Sequence, residues 1–171
     1  MIGVIVDAMA GYLIGSLTFC QICARLRRKD LGNNLGGSRY LEVTGNRLGA
    51  VICVLLDVLK GAAAYYFFGP VGAVAAVVGH MWSIFFRFRG GRGGATTAGV
   101  FLLADPLVLV LYVVYTVARL PFVRSREARE RLDQVLRIML LFILPFTGYE
   151  HWLMLEGIVA AIALKYYQVG I

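Results

Sequence analysis

Phe85-Phe86-Arg87-Phe88-Arg89-Gly90-Gly91-Arg92-Gly93-Gly94-Ala95-Thr96-Thr97 lies between two apolar runs, with His80 just upstream. Four glycines and three arginines fall within the ten residues from Phe85 to Gly94. Glycine lets a backbone turn its N–H groups inward toward an anion. Arginine adds a rigid fork of donors suited to phosphate or carboxylate. Thr96 and Thr97 open the next apolar run, and a helix starting there carries a positive partial charge at its N-terminus. The stretch reads as a phosphate cradle at a membrane surface. It reads as well as a basic juxtamembrane loop that only sets topology, and these residues alone leave both open.

The membrane comes from the rest of the chain. Of its 171 residues 60% are hydrophobic and 16% charged, against about 45–50% and about 25% in a soluble domain. The length suits one domain, taken as residues 1–171. The net charge of +7 does not point to nucleic acid, because the cations are clustered. Arg25, Arg27, Arg28, Lys29, Arg39 and Arg47 flank the first polar segment, and Arg87, Arg89 and Arg92 lie in the glycine loop. A third group runs from Arg119 to Arg137. The turns near Phe68–Gly72, Asp105–Pro106 and Thr147–His151 hold no Lys or Arg. Cations mark the cytoplasmic side, so the alternation predicts a multi-pass protein.

Taken in order, residues 2–24 form an apolar run long enough to cross a bilayer. Its cations follow rather than precede it, which argues against a cleaved signal and places the N-terminus outside. Gly15-Ser16 offers small residues for close helix contact. Cys20 and Cys23 have CxxC spacing but no His, Asp or Glu in the run's inner half, so they and Cys53 read as packing residues with no metal. Residues 25–46 read as a polar loop whose Gly, Asn and Ser residues suit turns or an anion nest. Residues 47–68 go out, Gly69-Pro70 turns, and 71–86 return. Asp57 and Lys60 share a helical face within the second span. At membrane depth they form either an ion pair between helices or a charged pair beneath an active site. His80 is a packing residue or one that acts as base, donor or orienter. Residues 95–104 are too short for a regular span and suit a half-helix aimed at the glycine loop. Asp105-Pro106 turns, 106–123 returns, an amphipathic stretch follows, and 135–147 and 151–168 make the last two passes. The predicted fold is therefore all-α, a polytopic membrane bundle of about seven helices with the C-terminus cytoplasmic.

Three pieces of this chain together resemble the acyl-phosphate-dependent glycerol-3-phosphate acyltransferases of the bacterial inner membrane, the PlsY family. The first is Tyr12-Leu-Ile-Gly-Ser16-Leu-Thr-Phe19 with the Gly/Asn/Ser loop behind it, beside the family's GS-x-P-F and GSGNxGATNxxR. The second is Asp57-Val-Leu-Lys60-Gly61, the family's D-x-x-K-G. The third is Gly79-His80 followed by Phe88-Arg-Gly-Gly-Arg92-Gly-Gly-Ala-Thr96, close to GH…FxGGKGxAT. Order and spacing fit over nearly the whole chain.

The resemblance implies a cytoplasm-facing site in the inner membrane that moves a fatty acyl group from acyl phosphate to the 1-hydroxyl of glycerol 3-phosphate, giving lysophosphatidic acid. It implies no cofactor and no metal, and a substrate phosphate that assists deprotonation. Carried over by position, Asn34, Gly36 and Ser38 hold the acceptor's phosphate, and Arg39 or Arg47 supplies the nearby cation. Gly90, Gly91, Arg92, Gly93 and Thr96 form the other cradle, with Lys60 as a further phosphate ligand. His80, Arg92 and Ser38 are the candidate catalytic residues, and Ser16 and Asp57 support them. The chain departs from the family pattern at several places. Arg92 stands for a Lys, Glu42 for an Arg, and Thr18 and Ser83 each for a Pro, and Lys165–Ile171 lacks the family's His- and Asn-bearing basic tail. Glu42 keeps open a homologue with a different acceptor. A non-catalytic membrane protein that binds lipid phosphates is the third reading.

Overall fold

A computed structural model describes residues 2–118. The third cationic cluster, the last two expected passes and the C-terminal residues lie outside that range. The described residues are helical: α1 (Ile2–Ser16), α2 (Phe19–Leu26), α3 (Gly37–Thr44), α4 (Arg47–Met81), a 3-10 turn (Ile84–Phe86), α5 (Gly94–Ala104) and α6 (Pro106–Ala118). Only isolated bridges, and no strands, occur among them.

α4 is a hairpin. Its one non-helical residue is Gly69, at φ 61° and ψ −161°, a region open essentially to glycine. Pro70 then starts the second arm, where a missing N–H is harmless. Lys60 Nζ and His80 Nδ1, twenty residues apart, meet at 2.8 Å. An unbroken helix would separate them by about 30 Å.

Small residues let the helices close on this hairpin. A Cβ at Gly11, Gly15 or Gly79 would strike the backbone across the contact between α1 and the second arm. Gly61 and Gly99 do the same between the first arm and α5. Between helices in lipid, such close approach replaces the hydrophobic drive available in water. Ala73, Val77, Met81, Val100 and Phe101 form the core between the second arm and α5. A second core gathers Cys20, Ala24, Leu31, Leu35, Tyr40, Ala50, Cys53 and Phe86. Ile5, Val51, Leu55, Leu59 and Leu102 point outward. Ile2–Leu26 and Arg47–Met81 are long and apolar enough to cross a membrane.

The structure corrects three expectations. The first apolar run is not one helix, because it breaks between α1 and α2 at Leu17–Thr18. Residues 71–86 are not one returning helix either, since α4 stops at Met81 and a tight turn follows. The first polar loop contains α3, so Ser38 and Arg39 are helical. At the far end, Asp105 accepts from Leu107 N at 3.0 Å and Val108 N at 3.3 Å, capping α6 ahead of Pro106.

Candidate active site

Both glycine-bearing segments of the sequence meet at the N-terminus of α5. Residues 82–93 double back against the end of α4, with Phe88 N donating to Ser83 O at 2.8 Å and Gly91 N to His80 O at 3.0 Å. Arg87 and Phe88 take left-handed φ of 56° and 58° to make the reversal. Only glycine fits at 90 and 91. A Cβ at Gly90 would strike the His80 and Met81 carbonyls, and one at Gly91 the His80 ring. The first segment then pairs with this loop: Asn34 bridges to Gly90, and Leu35 N donates to Gly90 O at 3.2 Å. Asn34 Oδ1 accepts from Gly36 N at 3.2 Å, which shapes the turn into α3.

Gly93, at φ 81°, caps α5. Thr96 and Thr97 therefore sit in its first turn, both buried. Their hydroxyls find no hydrogen-bond partner among the described residues. A buried hydroxyl left without one is costly, so a polar guest is favoured there. Arg92 is half-buried on the same loop. Arranged this way, an N-terminal helix end, a glycine turn and a guanidinium suit a phosphate.

Behind the loop lies a charged knot. Lys60 Nζ meets Asp57 Oδ1 at 2.8 Å, His80 Nδ1 at 2.8 Å and Leu17 O at 2.7 Å. The Leu17 carbonyl lies at the break after α1, whose end carbonyls lack partners within the helix. The Ser16 carbonyl there accepts from Ser83 Oγ at 2.6 Å. Tyr12 Oη donates to Trp82 O at 2.7 Å. Cys20 Sγ lies 3.9 Å from Asp57 Oδ2, a packing position beside the knot.

The first segment has its own brace. Gln21 is a buried polar residue on α2. Its Nε2 donates to Asp30 Oδ1 at 3.0 Å and its Oε1 accepts from Leu31 N at 3.1 Å. Gly32 N also donates to Asp30 Oδ1, at 3.0 Å. The Gly32 N–H, then the Gln21 amide, hold the Asp30 carboxyl below its ordinary pKa.

The expected site residues thus divide into three groups. Asn34, Gly90, Gly91, Arg92, Gly93 and Thr96 come together at the α5 N-terminus, and Gly36 caps α3 beside Asn34. Asp57, Lys60, His80 and Ser16 form the layer behind them. Ser38 and Arg39 are exposed on α3, where Arg39 Nη1 bonds Glu42 Oε2 at 3.1 Å. Sequence reasoning did not single out Gln21, Asp30, Tyr12 or the Ser83 hydroxyl as working groups. A polar Gln inside an apolar run was the one available signal.

Comparisons with known proteins give the family and the fold. A family profile described as glycerol-3-phosphate acyltransferase matches residues 5–169. A glycerol-3-phosphate acyltransferase of Halalkalibacterium halodurans is 33% identical over 159 residues, covering 82% of this chain and 76% of that protein. One from Shouchella clausii is 36% identical over 140 residues, covering 68% and 67%. Crystal structures of PlsY (YgiH), an integral membrane glycerol 3-phosphate acyltransferase, superpose with a TM-score of 0.77. The glycerol 3-phosphate form is 26% identical, with 97% of this chain and 89% of that one covered.

Proposed function

The chain belongs to the glycerol-3-phosphate acyltransferase family, and on that premise we propose that it takes its acyl group from acyl phosphate. It is a membrane acyltransferase of phospholipid synthesis. Its acceptor is the 1-hydroxyl of glycerol 3-phosphate and its product lysophosphatidic acid. The whole chain forms one domain in the bacterial inner membrane, with seven passes, the N-terminus outside and the site on the cytoplasmic side.

The observation that carries the site is the pairing of Asn34 and Leu35 with Gly90 at the N-terminus of α5. One phosphate lies against the first-turn N–H groups of α5, the buried Thr96 and Thr97 hydroxyls and Arg92. The acceptor's phosphate lies toward Asn34, Gly36 and Ser38, with Arg39 exchanging Glu42 for it. As the hydroxyl oxygen attacks the acyl carbonyl, negative charge gathers on the carbonyl oxygen. Pre-aimed N–H groups and Arg92 stabilise that charge without reorganising. The hydroxyl proton passes to a substrate phosphate, the acyl–phosphate bond breaks, and the leaving phosphate stays paired to the loop. Lys60, Asp57 and His80 serve this loop from behind.

The test is acyl transfer by the purified protein in liposomes, from a long-chain acyl phosphate to glycerol 3-phosphate. Arg92→Ala is expected to lower kcat by about 100- to 1,000-fold, the loss typical of one transition-state donor. Full rate in that variant would refute the site, and product from acyl-coenzyme A alone would refute the donor.

A further inference from the structure

The Lys60 ammonium has three N–H donors, and the fold supplies three acceptors within 2.8 Å: Leu17 O, Asp57 Oδ1 and His80 Nδ1. The side chain is 4% exposed, so water does not compete for them. This constrains the imidazole. Nδ1 receives a hydrogen bond from a cation, and a proton on Nδ1 would set two donors head to head at 2.8 Å. Asp57 Oδ1 lies farther from Nδ1, at 3.6 Å, and does not compensate. With Lys60 as an ammonium, this arrangement fits a neutral His80 whose one hydrogen is on Nε2.

Nε2 faces the glycine loop, filling the space that a side chain at residue 91 would take. The backbone repeats the link, because Gly91 N donates to His80 O. We infer that His80 is a positioning residue that presents a fixed Nε2–H donor to the glycine loop, its tautomer set by Lys60. It is not the base that removes the acceptor's proton, since the nitrogen facing the site already holds a hydrogen. Lys60 correspondingly orients His80 rather than binding phosphate. This rests on the proposed site at the glycine loop, but the tautomer can be read without any turnover.

The experiment has two arms. The first is nitrogen-15 NMR of the full chain in lipid nanodiscs, labelled at histidine. The His80 ring signals are those that vanish in His80→Gln. The expected spectrum has a protonated Nε2 and an unprotonated Nδ1. A protonated Nδ1, alone or with Nε2, overturns the inference even if the enzyme is fully active.

The second arm compares two variants. His80→Gln places an amide N–H near Nε2, whereas His80→Asn reaches only as far as Nδ1. His80→Gln should keep kcat within about tenfold of wild type while His80→Asn loses about 100-fold, because a donor can be replaced by an amide and a base cannot. An equal loss of 100-fold or more in both folded variants would favour the base and overturn the assignment. If His80→Gln fails to fold, the wild-type spectrum compared with Lys60→Met still decides. A mixed tautomer in Lys60→Met supports the lock, and an unchanged one refutes it.

Discussion

Asp57–Lys60 and Arg39–Glu42 are both oppositely charged pairs at i,i+3, with N–O separations of 2.8 and 3.1 Å. The first pair has side chains 4% and 2% exposed and joins α4 to the break after α1 and to His80. The second has side chains 46% and 64% exposed and links two residues of one short helix. The difference teaches that spacing alone says little about what an ion pair does. In water each partner is solvated and the pair is nearly free to open. Inside the bundle each charge depends on the other, and on every carbonyl and ring that completes its shell.

The sharpest way to break this comparison is to remove one buried partner. Lys60→Met leaves the Asp57 carboxylate unpaired and should lower stability by about 3–5 kcal/mol, seen as a drop in thermal melting in detergent. Replacing both, as Asp57→Leu with Lys60→Met, should recover much of the melting temperature but not the activity. Recovery of activity as well would mean the knot only supports the fold.

A smaller change tests how the knot reaches the site. Gly91→Ala forces the loop off the His80 ring. We expect kcat to fall by about 100-fold through misplacement, with little change in melting. Equal losses of stability and rate would mark the loop as merely structural.

At the exposed pair, a double-mutant cycle on Arg39→Ala and Glu42→Ala should give a coupling below about 1 kcal/mol that fades with salt. A larger, salt-resistant coupling would erase the contrast. The smallest expected effect is acidic. Because the folded Asp30 carboxyl is held below its ordinary value, its contribution is full above the unfolded value of about 3.9. It is lost as pH falls through the lower folded value. Melting of Asp30→Asn against wild type should differ slightly near neutrality and converge in acid.

Local chemistry made part of this legible. Asp57 and Lys60 were readable because i,i+3 places them on one helical face, and Gly69-Pro70 because few other sequences turn so tightly. Their joining to His80 was not, because it follows only once the hairpin folds back. The break at Leu17–Thr18 carries no Gly or Pro. It exists because Lys60 and Ser83 reach in from elsewhere to take the carbonyls of Leu17 and Ser16. α3 was read as loop because Gly36-Gly37-Ser38 signals a turn, yet Tyr40 is buried in the core beside Cys20 and Ala50 and holds the helix there. The glycine loop was legible as a tight turn from its composition. Its pairing with Asn34 was not, since a two-residue bridge between distant loops leaves no periodic trace.

The most direct test of the account is a double-mutant cycle on acyl transfer in liposomes, using Asn34→Ala, Arg92→Ala and the pair together. If the two glycine-bearing segments form one site, the double variant should lose little more rate than the worse single variant. Losses that simply multiply would mean that the segments act independently, and would contradict a single site at the N-terminus of α5.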